Sequence, residues 1–342
     1  MAAGPVALIT GITGQDGSYL TELLQEKGYE IHGLIGSGSA SRYEPGAGAV
    51  SPQPVYLRQV QMHYGDLSED TEMVSLLRRV RPREIYHMAG QSDVRLSFDV
   101  PQLTAEVNIL GTLRLMEAIR AYERETGEQI RFVQTTSSEM FGRTPQGPQN
   151  EQTPFAPCTP YACTRVYAYW QAVNYRESYG MFLCNGILFN HESPRRGEMF
   201  VTRKITKAAA RIKVGLQNKL KLGNLDARRD WGFAGDYVRA LWLMLQRDQA
   251  DDYVIATGQQ HTLQQLLELV FGHLGMDWRE YVETDKRFLR PTEVGQLFGD
   301  NSKARRLLNW EPRVNFEELA RMMTEHDLRL AERERLSGSK SA

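Results

Sequence analysis

Short apolar runs alternate along this chain with stretches whose apolar positions recur every three to four residues. That alternation predicts a parallel sheet covered on both faces by helices. The first run is Val6 to Thr10, followed by a helical pattern (Tyr19, Leu20, Leu23, Leu24) that Gly28 closes. Glu30 to Ile35 predicts a second strand, and another extended segment precedes Gly65-Asp66-Leu67. Met73 to Val80 predicts a helix, Glu84 to Met88 a fourth strand, and Pro101 to Tyr122 a long helix. Arg131 to Gln134 predicts strand five, a helix runs from about Tyr161 to Tyr179, and Phe182 to Leu188 predicts strand six. Tyr167, Tyr169 and Trp170 read as packing residues on that last helix. Further on, Val238 to Leu245, Leu263 to Leu274 and Phe316 onward read as helical packing.

Where the runs end, the chemistry begins. Gly11-Ile12-Thr13-Gly14-Gln15-Asp16-Gly17 joins the first strand to its helix. Glycines there let the backbone approach a pyrophosphate, whose charge the free N–H groups of the helix N-terminus favour. The alternative, an ordinary tight turn, loses ground to the strand–turn–helix context. At the end of strand two stands Gly36-Ser37-Gly38-Ser39-Ala40-Ser41-Arg42, with no carboxylate to repel a 2′-phosphate. Its hydroxyls, its N–H groups and Arg42 suit such a phosphate, and a plain linker is the competing reading. Asp66, with Leu67 beside it, sits where an adenine amino group is met in doubly wound folds. Met88 and Ala89, with Gln91 and Ser92, form a stretch where small residues let a cofactor lie close. His87 reads as a strand residue satisfied by its neighbours.

The central stretch is Thr135-Thr136-Ser137-Ser138-Glu139-Met140-Phe141-Gly142, a strand end that opens into four hydroxyls and a carboxylate. Tyr161 follows, with Arg165 four positions on, so that one helical face carries both. Cations then gather in Asn190-His191-Glu192-Ser193-Pro194-Arg195-Arg196 and Arg203-Lys204, and again around Arg228-Arg229. Arginine forks and a lysine point charge suit a diphosphate-bearing ligand, against the alternative of a solvated charged face. The fold class expected is therefore α/β: a Rossmann-like doubly wound parallel sheet with a smaller C-terminal substrate-binding α/β domain. Residues 1–188 would form the dinucleotide-binding domain with the catalytic residues, and 189–336 mainly the second domain. About 230–258 would return to the first, and 337–342 would be a flexible tail.

Composition narrows the field. With 41 basic and 42 acidic residues in 342, the whole-chain field favours neither nucleic acid nor an anionic membrane. Three cysteines (Cys158, Cys163, Cys184) lack the spacing of a disulfide framework or a zinc site, so no metal is expected. No apolar run approaches the roughly twenty residues of a membrane span, and the N-terminus lacks the pattern of a signal peptide. A cytoplasmic location is expected.

Thr10 to Tyr19, Thr135 to Gly142, Asn185 to Thr206, Gly223 to Tyr237 and Arg290 to Val294 together resemble the GDP-mannose 4,6-dehydratases, a family of extended short-chain dehydrogenase/reductases. The likeness covers nearly the whole chain, and Asn185 to Gly197 is its most specific part. It implies conversion of GDP-mannose to GDP-4-dehydro-6-deoxy-mannose by internal hydride transfer through NADP, with NAD left open. It also implies that Tyr161 takes the C4 hydroxyl proton, that Glu139 takes the C5 proton and that Ser137 hydrogen-bonds the C4 oxygen. Ser92, Glu139, Asn190, Arg195, Lys204, Arg229, Arg290 and Glu293 fall to the nucleotide sugar, and His191 and Arg196 to the cofactor's nicotinamide end or to a subunit contact. A homodimer or homotetramer is implied as well. Where the family carries lysine this chain has Arg165, whose permanent charge still favours a phenolate but whose fork has another shape. The family's paired arginines are missing from Gly36 to Ser41, and Leu103 replaces a tyrosine. Two other functions stay open: a dehydratase or epimerase acting on a related GDP-hexose or GDP-heptose, and a catalytically weak nucleotide-sugar-binding homologue.

Overall fold

The computed structural model describes residues 4–36, 54–65, 67, 70–144, 147–285, 287 and 296–338. Arg42, Asp66, Arg290 and Glu293, among the expected site residues, lie outside them.

Among the described residues, seven strands form one parallel sheet. They are β1 (Val6–Thr10), β2 (Glu30–Ile35), β3 (Val60–Tyr64), β4 (Glu84–His87), β5 (Arg131–Ser137), β6 (Phe182–Leu188) and, beyond four short strands, β11 (Asp252–Ile255). Their order is β11-β6-β5-β4-β1-β2-β3, so the chain winds outward in both directions from β1 and β4. Such a reversal opens a crevice at the carboxyl ends of the strands. β1, β4 and β6 are buried along almost their whole length, as expected of strands covered on both faces. One apolar layer joins Ile9, Leu20, Tyr86, Val133 and Leu241, and the other joins Leu8, Leu77, Ile119, Phe132 and Leu183.

The helices in chain order are α1 (Gln15–Glu26), α2 (Asp70–Val80), α3 (Val94–Asp99), α4 (Pro101–Ala105), α5 (Gly111–Thr126) and α6 (Pro160–Tyr179). After them come α7 (Val201–Lys213), α8 (Ala234–Leu245), α9 (Leu263–His273), α10 (Ser302–Leu308) and α11 (Phe316–Gly338). α11 therefore runs into the segment expected as a tail. The helix expected over Pro101 to Tyr122 is interrupted by a π-helical stretch, Glu106–Leu110. That wider turn sets Asn108 inward, where its amide joins Gln91 to Thr164. α6 starts where its sequence predicts, with Pro160 in the first turn and Thr159 Oγ1 accepting from the N–H of Ala162, and it ends at Gly180 (φ 69°).

The short strands are β7 (Asn190–Glu192), β8 (Leu220–Leu222), β9 (Arg228–Arg229), β10 (Trp231–Phe233), β12 (His261–Thr262) and β13 (Val282–Thr284). They make three two-stranded ladders: β7 with β10, β8 with β13 and β9 with β12. α7, α9 and α11 pack over a separate apolar cluster that includes Ile205, Trp231, Leu267, Phe271 and Met323. The chain crosses from the sheet into this cluster directly after β6. It crosses back through α8, which packs on α1 and the sheet and leads into β11.

Candidate active site

A cavity of about 750 Å³ lies at the carboxyl ends of the central strands. Gly11, Thr13, Gly14, Gln15, Asp16 and Gly17 line it from the turn after β1, and Leu67, Met88, Ala89, Gln91 and Ser92 from the loops after β3 and β4. Ser137, Glu139, Tyr161 and Arg165 line it from β5 and α6, and Asn190, His191, Arg195 and Arg196 from the segment that opens with β7. The structure thus brings together nearly all the described site residues that the sequence singles out. Lys204 and Arg229 are outside the cavity's wall. Lys204 Nζ donates to the carbonyl of Lys221, and Arg229 Nη1 to that of Arg228.

The turn after β1 is shaped by close approach. Gly11 has φ +72°, and a Cβ there would stand 2.8 Å from the backbone N of Ala89. A Cβ on Gly17 would stand 2.5 Å from the carbonyl O of Gly11, so no larger residue fits without moving the turn. α1 then begins with no side chain capping its N-terminus, which leaves amide donors for an anion. Uncapped amides, a glycine cradle and a cavity of this size fit a dinucleotide.

Arg165 faces inward. It is 4% exposed, its guanidinium carbon lies 5.2 Å from the centre of the Tyr161 ring, and Nη1 donates to the carbonyl of Thr135 at 3.2 Å. Nε is buried without a partner among the described residues. Gly90 makes room for the fork, since a Cβ there would meet Nη2 at 2.5 Å. Behind it, His87 is enclosed between the hydroxyls of Thr10 (2.7 Å) and Thr112 (3.1 Å). Burial, helped by the charge of Arg165, pushes the His87 pKa down to about 3. The ring is a neutral strut, as its place on a strand suggests. Ser137 Oγ accepts from the N–H of Glu139 at 3.2 Å and so holds the turn that carries the carboxylate.

His191 is held differently. Its Nδ1 lies 2.7 Å from the carbonyl O of Phe189 and its Nε2 lies 2.9 Å from Asp16 Oδ2. Burial works against the charged ring, but the Asp16 carboxylate outweighs it and raises the His191 pKa above 6.5. For Asp16 burial pulls upward, and the charge and hydrogen bond of His191 prevail to bring it below 3.8. The Tyr237 ring stacks on His191 at 4.7 Å. Around this pair, Gln15 Nε2 donates to the carbonyl of His191, Ser193 Oγ donates to Gln15 Oε1, and Arg195 reaches Ser18 and Glu22 on α1. Asn108 and Tyr237 are supporting residues that sequence reasoning missed. Asn108 left a signal, a polar residue amid the apolar positions of a helix, whereas Tyr237 looks like any core aromatic.

Residues 8–323 match the family model described as GDP-mannose 4,6 dehydratase. The chain is 55% identical over 332 residues to GDP-mannose 4,6 dehydratase 1 of Arabidopsis thaliana, covering 97% of this chain and 92% of that one. The chain belongs to the GDP-mannose 4,6-dehydratase family. The family's human member, GDP-mannose 4,6 dehydratase, is 46% identical, with 95% and 92% covered. Among solved structures, the UDP-glucose 4-epimerase of Thermus thermophilus in complex with NAD superposes with a TM-score of 0.78 at 26% identity, over 94% of this chain and 98% of that one. In this member of the dehydratase family the cavity is flanked by a fixed guanidinium on one side and a histidine–carboxylate pair on the other. Among the described residues no helix is long and apolar enough to cross a membrane.

Proposed function

We propose that this chain converts GDP-mannose to GDP-4-dehydro-6-deoxy-mannose and water. The observation that carries the reading is one cavity lined at once by the glycine turn, Ser137, Glu139, Tyr161 and Arg165. Family membership over almost the whole chain supports the substrate. The epimerase from Thermus thermophilus, solved with NAD, supports a nicotinamide dinucleotide. NADP is the form proposed, because Gly36 to Arg42 carries hydroxyls and a cation and no carboxylate. When bound, the nicotinamide would supply the acceptor and donor for a hydride passed from C4 to C6 of the sugar, and the glycine turn with Met88, Ala89, Gln91 and Ser92 would hold the dinucleotide.

In this proposal Tyr161 takes the proton of the C4 hydroxyl, with the buried guanidinium of Arg165 5.2 Å from the centre of its ring. Ser137 hydrogen-bonds the C4 oxygen. The resulting 4-ketone acidifies C5–H, and Glu139 takes that proton and hands it to the departing C6 hydroxyl, which leaves as water. Tyr161 then gives its proton to C5 as C6 is reduced, so that both residues return to their starting state and only water is lost. Asn190 and Arg195 reach the nucleotide sugar, joined by Lys204, Arg229, Arg290 and Glu293. The boundary at residue 188 belongs to the same proposal: chemistry before it, nucleotide-sugar recognition mainly after it. A homo-oligomer, dimer or tetramer, is proposed on the family likeness.

Incubating the purified protein with GDP-mannose and following the product by mass tests the reading. Loss of one water per molecule without net cofactor consumption is the expected outcome. Consumption of added NADP in step with product contradicts it.

A further inference from the structure

Both ring nitrogens of His191 face oxygen atoms that accept in the ionised protein: Nδ1 faces the carbonyl of Phe189 at 2.7 Å and Nε2 the Asp16 carboxylate at 2.9 Å. A singly protonated imidazole can serve only one of them and would turn its other lone pair onto an oxygen. We propose that Asp16 is a positioning residue: its carboxylate keeps His191 doubly protonated, and the ion pair latches the glycine turn to the segment carrying Asn190, Arg195 and Arg196. This rests on reading the cavity as a dinucleotide site.

The surroundings agree with it. Tyr237 of α8 covers one face of the ring, tilted 25°, and its buried hydroxyl has no hydrogen-bond partner among the described residues. It therefore fixes the plane of the imidazole without competing for its protons. The charged and titratable groups around the ring are Asp16 from α1, Arg196 from the ring's own segment and Tyr237 from α8, with Asp230, Asp236 and Glu192 acting on the Tyr237 phenol. Arg196 opposes a second cation, but its Nε lies 3.1 Å from Glu192 Oε2 and its guanidinium sits over the Phe200 ring at 3.5 Å. Asp16 supplies the compensating charge, and Gln15 Nε2 holds its other oxygen at 3.1 Å.

The latch spans the molecule's two halves. Residues 16 and 191 are 175 positions apart, and Gln15, Ser18 and Glu22 meet His191, Ser193 and Arg195 beside them. Of these contacts, the Asp16–His191 pair is the one that carries a histidine proton. Raising the pH strips that proton and sets a lone pair against an acceptor. The segment then loosens from the turn, and a dinucleotide bound between them is held less tightly.

The test is nitrogen-15 NMR of the His191 ring in the full-length protein, titrated in the wild type and in Asp16→Asn. In the wild type both ring nitrogens should carry protons at pH 7, and in the variant only one should. A wild-type ring that is neutral at pH 7, or one whose titration is the same in the variant, overturns the proposal. Equilibrium binding of NADP gives the second readout. Asp16→Asn should weaken it about tenfold at pH 7, the equivalent of about 1.4 kcal/mol. Wild-type Kd should also rise with pH alongside the ring's titration, a dependence the variant lacks. A Kd that ignores the ring's titration overturns the latch. Should the variant fail to fold, the wild-type titration decides alone. None of these readouts uses GDP-mannose or turnover, so a failed dehydratase assay leaves them interpretable.

Discussion

The two flanks of the cavity place a histidine in contrasting roles. On the β4–β5 side His87 is enclosed by hydroxyls and kept neutral, while the cation is the guanidinium of Arg165. On the β7 side the histidine itself is the cation, paired with a carboxylate from α1. His87 is fully buried and the His191 side chain is 11% exposed, so burial alone does not set their opposite states. Partners do: a hydroxyl adapts to a neutral ring, whereas a carboxylate favours a charged one. The lesson is that the cation on the chemical flank is a guanidinium, whereas the cation that joins the two halves is an imidazole that can lose its proton.

The largest effect should come from breaking the flank that carries the guanidinium. Tyr161→Phe should lower kcat by about 10²- to 10⁴-fold with little change in KM, because the proton acceptor is lost and the binding surface is kept. Arg165→Met should cost about 10²-fold. Arg165→Lys should retain more activity at pH 7 but introduce an alkaline decline in kcat that the wild type lacks, since an ammonium can be titrated and a guanidinium cannot. A pH–rate profile of both enzymes checks this.

Gly90→Ala sharpens the same point. The added Cβ would meet Nη2 of Arg165 at 2.5 Å, and the end of a long side chain can yield. Stability should change by less than about 1 kcal/mol while turnover falls roughly tenfold, since the cost lies in displaced charge. Chemical unfolding and initial rates, measured together, separate the two. A stability loss as large as the rate loss would mean that the fork is merely packed.

The histidines also predict opposite slopes of stability with pH. The folded pKa of His87, about 3, lies below the unfolded value of 6.5. The unfolded chain thus binds the proton first, and stability present above pH 6.5 is lost as pH falls toward 3. The span amounts to about 5 kcal/mol at full extent. His191 is raised, so its contribution is complete below 6.5 and lost as pH rises through its folded value. Asp16 is lowered, and its contribution, complete above 3.8, is lost on acidification. His87→Gln should flatten the acid limb of a Tm–pH curve, and His191→Asn the alkaline limb. The smallest effect belongs to His63, half-buried on β3 against His32 and Arg79, with burial as the main cause of a pKa near 4. His63→Gln should trim the acid limb only slightly, because solvent screens that site.

Much of the sheet could be read from periodicity because β1 and β6 are mainly apolar and β4 centres on Ile85 and Tyr86, and the glycine turn because strand, glycines and helix follow in sequence. β11 was harder. Asp252 begins it, and that carboxylate is acceptable inside only because Arg176, Tyr169 and Asn185 all donate to it. The π-helical turn at Asn108 is invisible to a period of 3.6. Sequence clustering put Lys204 and Arg229 with Arg195. Lys204 leaves on α7 and Arg229 on β9, and neither lines the cavity. The Asp16–His191 pair could not be found from spacing at all, since 175 residues separate its members.

The account turns on a hydride that leaves one carbon of the sugar and returns to another within one binding event. GDP-mannose carrying deuterium at C4, turned over by the purified protein in the presence of unlabelled NADP, tests this directly. The product should be a 4-keto-6-deoxy sugar with the deuterium at C6. Deuterium found in the free cofactor pool or in solvent, or a sugar recovered with its C6 hydroxyl intact, would contradict it.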